Sequence, residues 1–175
     1  WDESFLKYGW EIEQFLRCGY NVYTMDHRSQ GLSGRHLPAN PQITHVESFD
    51  DYVNDALYFV REVIVRRCGV AHASEVKVLA HSMGGFVATL LAARPGHPAG
   101  FSRLACSAPM YRMRTGMPHF VAYAAAAFGC ACGWGERYAP GEGDVDPGGV
   151  IKKKLTTCSR RVARLEALRR AFPQV

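Results

Sequence analysis

Several things are scarce or missing in this 175-residue chain, and each absence narrows its class. No apolar run is long enough to cross a bilayer: the longest, Phe120 to Trp134, has 15 residues, against roughly 18 or more for a membrane-spanning helix. The six cysteines (Cys18, Cys68, Cys106, Cys130, Cys132 and Cys158) form no C-x-x-C pair. Cys130-Ala131-Cys132 has no second ligand pair to complete a zinc site, so no metal is expected. Cys106 lies in an apolar, strand-like run and reads as a buried thiol; the set as a whole fits a reducing compartment. There is no internal repeat, and no stretch of the given sequence reads as a signal peptide. The first residue is Trp1 rather than Met, so it is not a natural initiator. No Asp or Glu stands between Ser82 and His119, and no histidine follows His119.

Acidic residues are scarce at the C-terminal end too. From Ile151 to Val175 there are eight Lys/Arg against Glu166 alone, a local charge of +7, whereas the rest of the chain carries −2 within a total of +5. Such a segment is either a solvated helix face or a contact for anionic head groups or nucleic acid. No aromatic residue interleaves with these basic residues, which argues against nucleic acid.

What is present is an alternation of helix and strand signals. Ser4 to Cys18 reads as a helix, with Phe5, Tyr8, Ile12, Phe15 and Leu16 on one face and Gly19 as its stop. Asn21 to Met25 reads as a strand ending at Asp26, followed by a turn-rich loop to Gln42. Ser48-Phe49-Asp50-Asp51 resembles a capping box and opens a helix to about Arg67. A strand over Val76–Leu79, a helix over Phe86–Ala93 stopped by Pro95-Gly96, and a strand over Phe101–Ser107 follow. This order predicts an α/β fold with a parallel sheet. Beyond Met110 the composition shifts to Ala, Phe and Met, then to an acidic, glycine-rich loop at 139–149, then to a basic helix at 151–171. A boundary is expected near residue 110, giving segments 1–110 and 111–175.

The most informative stretch is Ala80-His81-Ser82-Met83-Gly84-Gly85, between the second strand and its helix. A serine at the apex of a strand–turn–helix is the setting of a G-x-S-x-G nucleophile elbow. Strand and helix approach closely there, so the positions two residues either side of the serine must be small. Gly84 meets that demand, and Ala80 replaces the usual first glycine with one added methyl. The N–H of Met83 would point at a developing oxyanion from the helix N-terminus. The alternative is that Ser82 is an ordinary helix N-cap; the flanking strand and helix and the double glycine favour the elbow.

Three stretches together resemble the monoacylglycerol lipase and lysophospholipase branch of the α/β-hydrolase superfamily. They are Asp26-His27-Arg28-Ser29-Gln30-Gly31-Leu32-Ser33-Gly34, the elbow Ala80–Gly85, and Ser107-Ala108-Pro109-Met110. The resemblance implies a partial α/β-hydrolase core with the start of a helical cap after residue 110. It makes Ser82 the nucleophile of a serine ester hydrolase acting on a lipid ester, and Met83 N–H an oxyanion donor. Ala80, His81, Gly84 and Gly85 would be structural parts of the elbow. Asp26, His27, Arg28 and Gly31 would sit in a loop on the active-site side. Ser29 stands where the family usually has glycine, which asks a residue with a Cβ to adopt that turn. The implied cap covers 111–175; in this family the cap shapes an acyl-chain tunnel and can rest on a membrane surface. Met113–Trp134, with Met117, Phe120, Val121, Tyr123 and Phe128, has a composition that suits this, an ordinary buried helix being the equal alternative. Peripheral membrane contact and a cytoplasmic or membrane-peripheral location are therefore expected, with no cofactor and no nucleic acid.

The triad of this fold runs serine, acid, histidine, and the chain offers no such order after Ser82. The family's His-Gly loop and the strand that feeds it are also missing ahead of Ser4. The expectation is an internal piece of a longer hydrolase, with the acid and histidine outside these residues and the isolated chain inactive. The alternatives are a truncated or degenerate, non-catalytic chain, or a carboxylesterase, peptidase or acyltransferase of the same fold.

Overall fold

Ser48 starts the helix that anchors the core. The structure, a computed structural model, describes residues 4–37, 39–144 and 158–172. Its backbone contacts group into two units, Glu47–Gly135 and Trp1–Val46 with Glu136–Val175.

In the unit Glu47–Gly135, Ser48 has extended backbone (φ −140°, ψ 143°) and its hydroxyl accepts the Asp50 N–H, while the Asp51 carboxylate reaches back to the Ser48 N–H. This reciprocal capping satisfies two otherwise unpaired donors and fixes the start of α1, Phe49–Tyr58. The helix continues through Phe59–Arg67 with a wider, π-type winding, ending with Cys68 N–H on Val63 O at 2.9 Å. The sequence pattern predicts a plain α-helix here. The four β-branched residues Val60, Val63, Ile64 and Val65 crowd the preceding turn, which the wider winding relieves. Tyr52, Val53, Val60 and Ile64 are buried all the same.

Strands β1 (Lys77–His81) and β2 (Arg103–Ser107) pair in parallel, in a register running from Lys77 opposite Arg103 to His81 opposite Ser107. Between them runs helix α2, Met83–Ala93, with Met83, Gly85, Val87, Ala88 and Leu91 buried. The parallel order read from the sequence is therefore present. Val78, Ala80, Leu104 and Cys106 are half-buried, so Cys106 is less covered than its apolar surroundings suggest. The alternate positions are exposed, and Leu79, opposite Ala105, is 57% exposed. One face of this sheet is thus open, whereas parallel sheets are normally covered on both. Helix α3, His119–Ala131, follows and has no buried residue.

In the other unit, Ser4 caps a 3-10 turn, Phe5–Tyr8, by accepting the Leu6 N–H. The turn runs on into a further helix, Gly9–Arg17, which ends at Cys18 and at Gly19 with φ 81°. The strand read at 21–25 forms no ladder: the sheet among the described residues has two strands, β1 and β2. A strand exists only through its neighbour, since its backbone N–H and C=O groups must be paired. The basic helix is present as Ser159–Ala171, while 151–157 and 145–149 lie outside the described residues.

Candidate active site

β1 delivers its last residue, His81, to the mouth of a sharp turn, and α2 starts at Met83. Ser82 bridges the two with φ 51° and ψ −120°. That is a left-handed conformation glycine adopts freely and a residue with a Cβ adopts only under constraint from its surroundings. The constraints are visible. The Ser82 N–H bonds to Ser107 O at 3.1 Å, continuing the strand ladder. The Ser82 carbonyl accepts three N–H groups, from Met110 at 2.9 Å, Gly85 at 3.0 Å and Phe86 at 3.3 Å. The backbone of Ser82 is thus committed to strand, helix and the turn after β2 at once. Its hydroxyl, by contrast, makes no capping bond and no other hydrogen bond among the described residues.

Small residues are needed where the turn after β2 meets the helix. A Cβ added at Gly85 would lie 2.9 Å from Pro109 Cβ and 3.2 Å from Pro109 Cα, too close for any side chain without movement. The structure shows a close approach at Gly85, next to the Gly84 that the motif singles out. The signal was on the page, because Pro109 belongs to the Ser107–Met110 motif, yet nothing in the sequence says that it packs on the elbow. Ala108, with φ 45°, turns the chain so that it does. His81 is exposed at the strand end. Ala80 is half-buried opposite Cys106.

The loop Asp26–Gly34 belongs to the other unit and is knit around one carboxylate. Asp26 accepts the Phe5 N–H at 2.7 Å, the Leu32 N–H at 2.9 Å and the Ser4 hydroxyl at 3.0 Å. Gly31, with φ 52°, is obligatory, because a Cβ there would lie 2.2 Å from Asp26 Oδ2. Ser29 adopts the left-handed turn the family fills with glycine, at φ 58°, and is fully buried. Arg35 holds it there by donating to both Ser29 O and Gly31 O. His27 and Arg28 are half-buried in the same loop.

Two of the titratable groups after Ser82, His119 and Asp144, are engaged by neighbours of their own. His119 Nε2 accepts the Arg112 Nε–H at 2.7 Å, so its lone pair is engaged by a cation. Asp144 is bound by Asn40 at 2.8 Å and Tyr138 at 2.5 Å, and these hydrogen bonds hold its carboxyl below the usual carboxylate range. No cluster of His, Cys, Asp or Glu that could hold a metal occurs among the described residues.

Residues 2–167 match the family described as Serine aminopeptidase, S33 (Hydrolase_4). The chain belongs to this α/β-hydrolase family. Lysophospholipase L2 of Escherichia coli is 39% identical over 121 residues, which is 69% of this chain and 33% of that protein. The probable lysophospholipase L2 of Haemophilus influenzae is 29% identical over 173 residues, 99% of this chain and 52% of that one. The chain thus spans about a third to a half of the length of the curated relatives it matches. No solved structure matches it. The family match and the two relatives place the chain on the lysophospholipase branch of the α/β-hydrolases.

Proposed function

We propose that the whole protein is a serine ester hydrolase of lysophospholipase type, with Ser82 as its nucleophile and a fatty acyl ester as its substrate. The observation that carries this reading is the backbone of Ser82. A φ of 51° is costly, of order 1–3 kcal/mol for a residue outside its favoured regions, and an N-cap serine has no need of it. The hydroxyl makes no capping bond and has no partner among the described residues, as an attacking group requires.

The mechanism follows from the placement. Ser82 Oγ attacks the ester carbonyl, a bond forms to the carbonyl carbon, and the serine proton passes to a histidine. Negative charge then builds on the carbonyl oxygen next to the first turn of α2. The N–H of Met83 and the positive end of the helix stabilise it. The alcohol leaves with the proton, an acyl-enzyme remains, and water releases the fatty acid by the reverse path. The histidine and its carboxylate come from outside these 175 residues on this reading, since His119 is held by Arg112 and no histidine follows it. The open sheet face at Leu79 and Ala105 supports the same view, because a parallel sheet needs a second covering layer.

Residues 1–110 serve as the hydrolase core in this proposal, and 111–175 as the cap. No helix among the described residues is long and apolar enough to cross a membrane. Phe120 and Tyr123 on α3 are 77% and 79% exposed, which supports peripheral contact of the cap with a lipid surface. Flotation with anionic vesicles, compared with a Phe120→Ser, Tyr123→Ser variant, tests this; equal recovery of the two removes the membrane contact. Labelling by a fluorophosphonate tests the nucleophile. The expected result is labelling that Ser82→Ala abolishes; a Ser82→Ala variant that labels as well as the parent overturns the reading.

A further inference from the structure

The turn after β2 is fastened to the elbow at several points, and one of them, at Thr89, lies about two helical turns from Ser82. Thr89 Oγ1 donates to Gly85 O at 2.8 Å. The same oxygen lies 3.0 Å from the Tyr111 hydroxyl. A threonine hydroxyl carries a single proton, and Gly85 O takes it, so Tyr111 is the donor in the second bond. The result is a directed chain of hydrogen bonds from Tyr111 through Thr89 to the carbonyl of Gly85, three residues beyond Ser82. Cys106 Sγ, on β2, approaches the same two acceptors at 3.8 and 3.9 Å. The Tyr111 ring also stands edge-on to Phe86, with centroids 6.1 Å apart, and Phe86 packs on Phe49 at 5.2 Å.

Tyr111 sits immediately after Met110, whose N–H holds the Ser82 carbonyl, and Pro109, which abuts Gly85. The three residues grip the elbow in succession. Met110 and Pro109 act on the backbone directly. Tyr111 keeps both of them in place by tying the chain that follows them to the side of α2. Resting on the reading of Ser82 as nucleophile, the geometry points to Tyr111 and Thr89 as a positioning pair: a latch that holds the Pro109–Met110 turn against the elbow and so maintains the strained backbone of Ser82. The role is invisible to a reading of motifs, because neither residue lies within the elbow or the Ser107–Met110 stretch. The Tyr111 side chain is more than half exposed, so its hydroxyl has water as an alternative partner. Its bond to Thr89 is one that a local change can release without opening the core.

The test uses Tyr111→Phe, Thr89→Val and Thr89→Ser in the whole protein. The first removes the Tyr111–Thr89 bond, the second removes that bond together with the one to Gly85 O, and the third keeps the hydroxyl. Three quantities are read: amide exchange at Gly85, Phe86 and Met110, the rate of fluorophosphonate labelling, and kcat and KM separately. Tyr111→Phe is expected to speed exchange at these three amides with α1 amides unchanged. It should slow labelling and lower kcat by roughly tenfold with KM unchanged, below the ~10²-fold cost of a 1 Å misplacement. Thr89→Val should match it, the double variant should add little to either, and Thr89→Ser should behave as the parent. Unchanged exchange in Tyr111→Phe overturns the latch, whatever labelling shows. A loss of labelling that only tracks a fall in thermal midpoint, or a Thr89→Ser as impaired as Thr89→Val, overturns the positioning role. Labelling of Ser82→Ala at the parent rate would instead sink the nucleophile reading, while the exchange data still decide the latch.

Discussion

Two serines open helices in the same unit, and they are built to opposite ends. Ser48 has relaxed, extended backbone and its hydroxyl is occupied by the Asp50 N–H. Ser82 has strained, left-handed backbone and its hydroxyl is unoccupied among the described residues. At Ser48 the side chain serves the helix. At Ser82 the surroundings serve the side chain: Ser107, Met110, Gly85 and Phe86 all bond its backbone, and none bonds its hydroxyl. The contrast teaches that a serine before a helix is not diagnostic by type or position. The sign of φ and the partner of Oγ together separate a cap from an elbow. Ser29 shows that φ alone does not suffice, since it is also left-handed but buried, with its hydroxyl accepting the His36 N–H at 3.4 Å.

The comparison can be broken most directly through reactivity. Ser82→Ala should reduce ester hydrolysis by the whole protein about 10⁴-fold or more, the scale of losing an activated serine. Ser48→Ala should leave the rate per folded molecule unchanged. Equal losses in the two would erase the distinction.

Packing gives the next largest effect. Gly85→Val forces a branched side chain into the 2.9 Å approach to Pro109, and should destabilise the protein by about 3 kcal/mol in denaturant melts. Leu91→Ala, in the core beneath, should cost a similar ~3 kcal/mol but leave labelling at Ser82 intact. Gly85→Val should depress both.

The cap itself is worth less. Ser48→Ala should cost about 1 kcal/mol, the usual value of a side-chain N-cap, read from the same melts. The smallest effect has the opposite sign. Ser82→Gly should stabilise the protein by about 0.5 kcal/mol, because glycine accepts the left-handed backbone without strain. A destabilising Ser82→Gly would mean that the serine side chain supports the fold, and the elbow reading would lose its physical basis.

Much of this was legible in the sequence. The capping box at Ser48 and the strand–serine–helix order follow from local pattern, because caps and periodicity are properties of neighbouring residues, and the alternation of strands and helices implied the parallel pairing. The requirement at Ser29 was legible too, since a serine in a glycine turn signals positive φ. Other features were not. The segment 21–25 has strand composition, yet strand formation depends on a partner that composition cannot supply. The contact of Gly85 with Pro109 arises from packing between segments distant in sequence.

The residues by themselves singled out Ser82 as the candidate, showed which family the motifs resemble, and showed that no acid–histidine pair follows Ser82 in order, because these are matters of identity and sequence order. The tertiary structure alone decided that Ser82 is strained rather than capping, that Asp26 is engaged by three donors, two from the Ser4–Phe5 turn and one from its own loop, and that Thr89 and Tyr111 are joined beside Ser82. Each of these depends on where a backbone group from elsewhere in the chain comes to rest, and hydrogen bonds act over about 3 Å in space, without regard to separation along the chain.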